Sequence, residues 1–83
     1  MKIPLQIEYA TGEKVEVVAS APDIVKFEDK FNIAITKAGN DMKLTYLLFL
    51  AYNALSRTKQ TNLTFEAWCD TVEGVGGSDT DPK

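Results

Sequence analysis

The sequence predicts an α+β fold: an N-terminal β-hairpin followed by about three helices, a long central helix among them, and a disordered C-terminal tail. Two runs of period-two alternation flank a glycine-containing turn near the start. Helical periodicity with start and stop signals then takes over, and its greasiest run, TYLLFLAYNAL from Thr45 to Leu55, is apolar on nearly every side. Eighty-three residues build one hydrophobic core, which we place over residues 1–75 with a tail over 76–83. A chain this short buries only about 60–65% of its unfolded surface. Domains near this size without disulfides or metals often gain stability by association.

In the first alternation Ile3, Leu5, Ile7 and Tyr9 face one way and Gln6 and Glu8 the other. After Ala10-Thr11-Gly12-Glu13, Val15, Val17 and Ala19 oppose Lys14, Glu16 and Val18, which completes a hairpin pattern. A lone hairpin is marginal in water, so later elements must cover its apolar face. Ser20-Ala21-Pro22-Asp23 starts a helix with a cap, a first-turn proline and an acid at the positive dipole end. Ile24, Phe27 and Phe31 form its apolar stripe and Asn32 closes it. The stretch from Ile33 to Gly39 suits a connector.

Asn40-Asp41 can cap the long helix. On a helical wheel Leu44, Leu47, Leu48, Ala51 and Leu55 make one face, with Tyr46, Phe49, Leu50, Asn53 and Arg57 roughly opposite. Two readings stay open. The helix is core on all sides, or the leucine face is core while the Tyr46/Phe49/Leu50 face meets another chain. Arg57 can also bond the last carbonyls of its own helix. Beyond the polar connector SRTKQTN, Thr64 caps a last helix, Leu63 can staple onto Trp68, and Gly74 ends it. Phe65, Trp68, Cys69 and Val72 line one face of that helix, and Glu66, Asp70 and Glu73 another.

Composition narrows the function classes. A net charge of −3 and a pI near 4.8 repel nucleic acid. From Leu44 to Leu55 a helix spans about 18 Å against about 30 Å of hydrocarbon, so no membrane span is expected. Pro4, Gln6 and Glu8 interrupt any signal-peptide core. One cysteine excludes an internal disulfide and suits a reducing cytosol. With no histidine the commonest general base is missing, together with most zinc and nucleophilic-triad arrangements. Cys69, on an apolar stripe with no neighbouring cation, reads as an inert thiol. Glu66, Asp70 and Glu73 supply too few oxygens for a hard-cation site. Gly74-Val75-Gly76-Gly77 follows a helix rather than a strand and so is no phosphate loop. No catalytic, cofactor or metal residue is expected, and enzyme is the class these residues support least.

KLTYLLFLAYNALSR followed by FEAWCDTVEGV resembles the small tail assembly chaperones of long-tailed phages, particularly those of actinobacteria. That family pairs an LLFLAW-like helix with an FxxWxxTVE-like helix, after a β-rich start and a DxVxFE-like helix. The matching pieces here are Leu47–Tyr52, Phe65–Glu73 and Asp23–Glu28, within a likeness covering about residues 3 to 75. Tyr52 stands where tryptophan is usual, and the tail is shorter and milder than is common. The resemblance implies a non-enzymatic helper in the host cytoplasm, absent from the mature virion. It would bind the tape measure protein, keep it soluble and help tail-tube protein assemble around it. A longer form made by ribosomal frameshifting is also implied. The partner-binding candidates are Tyr46, Phe49, Leu50, Tyr52, Asn53 and Arg57, with self-association expected at high concentration. Two other classes remain: a small acidic antitoxin-like regulator or inhibitor using Glu66, Asp70 and Glu73, and a structural subunit of the virion tail.

Overall fold

A computed structural model describes residues 2–38 and 43–77. The expected hairpin is present. Strand β1 (Ile3–Tyr9) pairs antiparallel with β2 (Lys14–Ala19), in a register that sets Leu5 opposite Val17 and Ile7 opposite Val15. At the turn the Tyr9 N–H donates to the Glu13 carbonyl at 2.8 Å, and Gly12 takes a φ of 98°. A side chain would strain that backbone, which is why a glycine suits the position.

Helix α1 (Ala21–Phe31) starts and stops where its signals stand. The Ser20 N–H donates to Asp23 Oδ2 at 2.9 Å, the reciprocal arm of a capping box. Asn32 closes the helix in the left-handed conformation, its N–H on the Glu28 carbonyl. The connector contains a single helical turn, α2 (Ile35–Ala38), held at its start by the Ile35 N–H donating to Glu28 Oε2 at 2.9 Å. Helix α3 (Leu44–Arg57) is the long central helix. The expected cap at Asn40-Asp41 lies outside the described residues. Helix α4 (Phe65–Cys69) begins at Thr64, whose hydroxyl accepts the Ala67 N–H at 3.2 Å.

After α4 the chain departs from expectation. The helix ends at Cys69, not at Gly74, and Val72–Gly77 forms a third strand, β3. It pairs antiparallel with the free edge of β1, Val75 opposite Ile7, to give the order β2-β1-β3. Gly76 and Gly77 therefore belong to the sheet, and the remainder of the expected tail, 78–83, lies outside the described residues. The cause is tertiary. Glycine is depleted in strands and hides the local signal, whereas pairing with β1 satisfies its second edge. The Thr71 carbonyl accepts the Ala10 N–H at 2.9 Å just where the new pairing begins.

The helices pack on one face of the sheet. Leu5, Ile7, Val17 and Ala19 meet Ile24, Phe27, Leu50, Ala51, Ala54, Leu55 and Trp68 in one core. The division of α3 drawn on the wheel is turned from the real one. Its buried residues are Leu50, Ala51, Asn53, Ala54 and Leu55, while Leu47 and Leu48 are half-buried and Leu44 is 53% exposed. Leu50 and Asn53, expected on the contact face, are thus core residues. Ala51 and Ala54 explain the turn: small residues on the packed side let the helix axis approach the sheet closely.

Trp68 ties α4 to the sheet. It is 1% exposed, and its Nε1–H donates to the Tyr9 hydroxyl at 3.2 Å. Leu63, expected to staple onto it, is instead exposed, and its carbonyl accepts from the Tyr52 hydroxyl at 2.6 Å. Trp68→Ala is expected to remove about 3–5 kcal/mol of stability, a large share for a small domain. Urea denaturation followed by circular dichroism measures it. A midpoint close to that of the unaltered chain would mean that the indole adds little to the core.

Candidate functional site

Seven aromatic side chains from three helices form one continuous array. Phe27 and Phe31 come from α1, Tyr46, Phe49 and Tyr52 from α3, and Phe65 and Trp68 from α4. Helical spacing sets them up: Phe27 and Phe31 are one turn apart, and so are Phe65 and Trp68. The Tyr46 ring lies 5.1 Å from Phe27 and 5.0 Å from Phe31, edge to face in both cases. Phe49 stands between the flanking helices, 5.4 Å from Phe31 and 5.8 Å from Phe65. Tyr52 continues the line at 5.5 Å from Phe65 and 5.7 Å from Trp68. Such tilted contacts suit the ring quadrupoles and add about 0.5–1.5 kcal/mol per pair beyond burial.

The two ends of this array are sealed and its middle is not. Phe27 and Trp68 are fully buried, whereas Phe31, Tyr46, Phe49, Tyr52 and Phe65 are half-buried. Lys30 Nζ sits 5.9 Å from the Phe49 ring centre, a cation–π contact at the edge of the row. The result is a rigid apolar ridge along the outer side of α3.

Three of the six expected contact residues, Tyr46, Phe49 and Tyr52, lie on this ridge. The other three do not. Leu50 is in the core. Asn53 is 7% exposed and its Nδ2 makes no hydrogen bond among the described residues, so it is an internal polar group. Arg57 leaves its own helix end to clamp Asp23 at the start of α1. Its Nε–H donates to both carboxylate oxygens at 3.1 and 3.2 Å, and its Nη2 donates to Oδ2 at 2.9 Å. Those bonds push the guanidinium pKa further above its ordinary value. Asp23 is 1% exposed, so Arg57 supplies the partner that a buried carboxylate requires. Phe31 and Phe65 were read as stripe residues of their own helices. Their half-exposure follows from the ridge, which the spacing of a single helix does not reveal.

Among the described residues no group of three or more His, Cys, Asp or Glu side chains could hold a metal ion. Glu66 lies within α4 and Asp70 caps its end, while Glu73 lies on β3, so the three carboxylates do not share a helical face. No helix of the described residues is long and apolar enough to cross a membrane. Ser56, Lys59, Gln60, Thr61 and Asn62 line an open polar depression at the end of α3, apart from the ridge. Comparison with family models, curated proteins and solved structures found no match for this chain.

Cys69 is half-buried, and burial raises its thiol pKa, with the Asp70 and Glu66 charges adding to the rise. A raised pKa leaves less thiolate at neutral pH, which opposes nucleophilic use. The pH profile of iodoacetamide alkylation is expected to have its midpoint above that of the urea-unfolded chain. A midpoint at or below the unfolded value would show an activated thiol.

Proposed function

We propose that this chain is a non-enzymatic tail assembly chaperone of a long-tailed phage. In the host cytoplasm it binds the tape measure protein, keeps it soluble and helps tail-tube subunits assemble around it, and it is absent from the finished virion. A frameshifted longer form would share the same domain. The half-buried aromatic ridge is the observation that carries the reading. A long helical client exposes apolar side chains at i, i+3, i+4 and i+7, and an apolar groove or ridge on a partner is the surface that covers them. Rings suit reversible binding, because they supply large contact area with few rotatable bonds to immobilise. The resemblance of the α3 and α4 sequences to the tail assembly chaperones supports the choice of client.

Tyr46, Phe49 and Tyr52 contact the client in this reading, with Phe31 and Phe65 beside them. Leu50 holds the fold, and Arg57 holds Asp23. The chain is co-expressed with the product of the long reading frame expected just downstream of its gene, and soluble client is measured. The Phe49→Asp variant is expected to remain folded by circular dichroism, since Lys30 lies beside the new carboxylate, and to lose most of the soluble client. Leu50→Asp places an unpaired charge in the core and is expected to unfold the domain. Full client recovery with folded Phe49→Asp would remove the ridge from the binding role. No recovery with the unaltered chain would overturn the chaperone reading, as would finding the chain in purified particles.

A further inference from the structure

The ridge carries opposite charges on its two flanks, which decides what fits it when no client is present. Phe49 lies near its middle, with Phe31 at 5.4 Å on the α1 side and Phe65 at 5.8 Å on the α4 side. On the α1 flank the cation is Lys30, with its Nζ 5.9 Å from the centre of that same Phe49 ring. Asp29 precedes it but projects about 100° further round α1, away from the Phe31 stripe, and the half-buried Glu28 carboxylate is turned to α2, where it accepts the Ile35 N–H. On the α4 flank the exposed charges are the carboxylates Glu66 and Asp70. Both lie close enough to Cys69, on the apolar side of that short helix, to disfavour its thiolate.

We propose that the ridge is a self-complementary interface, on which a second copy of this chain docks about a two-fold axis passing near Phe49. A two-fold axis there, running along α3, sets the α1 flank of one copy against the α4 flank of the other. Lys30 of each protomer then faces Glu66 of its partner, twice over, while the half-exposed rings cover one another. An isologous interface sets the same patch of both copies together, residue i on j and j on i, and here that pairing answers each charge with its opposite. A partner bearing charge of one sign would be attracted by one flank and repelled by the other. The second copy matches both flanks together. Self-association covers the ridge in the absence of a client, and it stands or falls separately from the client reading because it is measured on the chain alone.

Charge reversal tests it. Sedimentation velocity of the full chain, over a range of concentrations at low salt, should show a reversible monomer–dimer equilibrium. Lys30→Glu alone sets two carboxylates against each other at both ends of the interface, and Glu66→Lys alone sets two ammonium groups against each other. Each single variant should dimerise at least about tenfold more weakly than the unaltered chain. A mixture of the two variants restores opposite charges at both contacts, so it should form a heterodimer with near-original affinity, and the doubly reversed chain should form a homodimer. Circular dichroism checks that these exposed substitutions leave the fold intact. A chain that stays monomeric at hundreds of micromolar overturns the proposal. So does a dimer indifferent to both reversals, or one that the mixture fails to rescue.

Discussion

The structure is governed by a shortage of covering chain. Helix α3 is apolar almost all round, yet a three-stranded sheet and the two neighbouring helices α1 and α4 bury only part of its circumference. The sheet takes the side bearing Ala51, Ala54 and Leu55, where small residues permit close approach. The outer side is left to α1 and α4, which reach it with single rings, Phe31 and Phe65, rather than with a second layer. Aromatic residues can occupy this half-covered position because ring–ring contacts satisfy part of each surface while the rest stays accessible. The ridge is thus the remainder of a packing problem that the chain cannot complete by itself.

Two tethers hold the covering helices in place. The start of α1 is fixed to the end of α3 by Asp23 and Arg57, a pair 34 positions apart. The Trp68 hydrogen bond to Tyr9, across 59 positions, fixes α4 to the end of the central strand β1. Each joins a helix to a distant element through a buried group that requires its partner, so each selects one docking angle. Without them Phe31 and Phe65 would have no fixed position beside Phe49, and the ridge would not be rigid.

Much of the fold was legible because its signals are local. The hairpin alternation, the Ser20 and Thr64 starts and the Asn32 stop each depend on residues within one turn or one strand pair. Trp68 was legible on the apolar face of its helix, although the Leu63 staple expected to hold it does not form. β3 was hidden because its glycines carry no strand pattern, and the pairing comes from an edge of β1 some seventy positions away. The unpaired second edge of a marginal hairpin was the one available hint. Half of the candidate site was legible: Tyr46, Phe49 and Tyr52 lie on the ridge, while Leu50 and Asn53 turned inward. A wheel weights large residues, whereas packing here is centred on alanines. Arg57 was assigned to a surface role because a sequence does not show that the acid it needs lies buried at the start of another helix.

A helix with one core side and one half-covered side makes a definite statement about its rings. Hydroxyl-radical footprinting of the dilute chain reads this directly, with each rate normalised to that of the same residue in urea. Phe31, Tyr46, Phe49 and Phe65 are expected to react at a substantial fraction of their unfolded rates, with Phe27 and Trp68 strongly protected. Equal protection of all six rings would make α3 a core helix on every side and contradict the existence of the ridge.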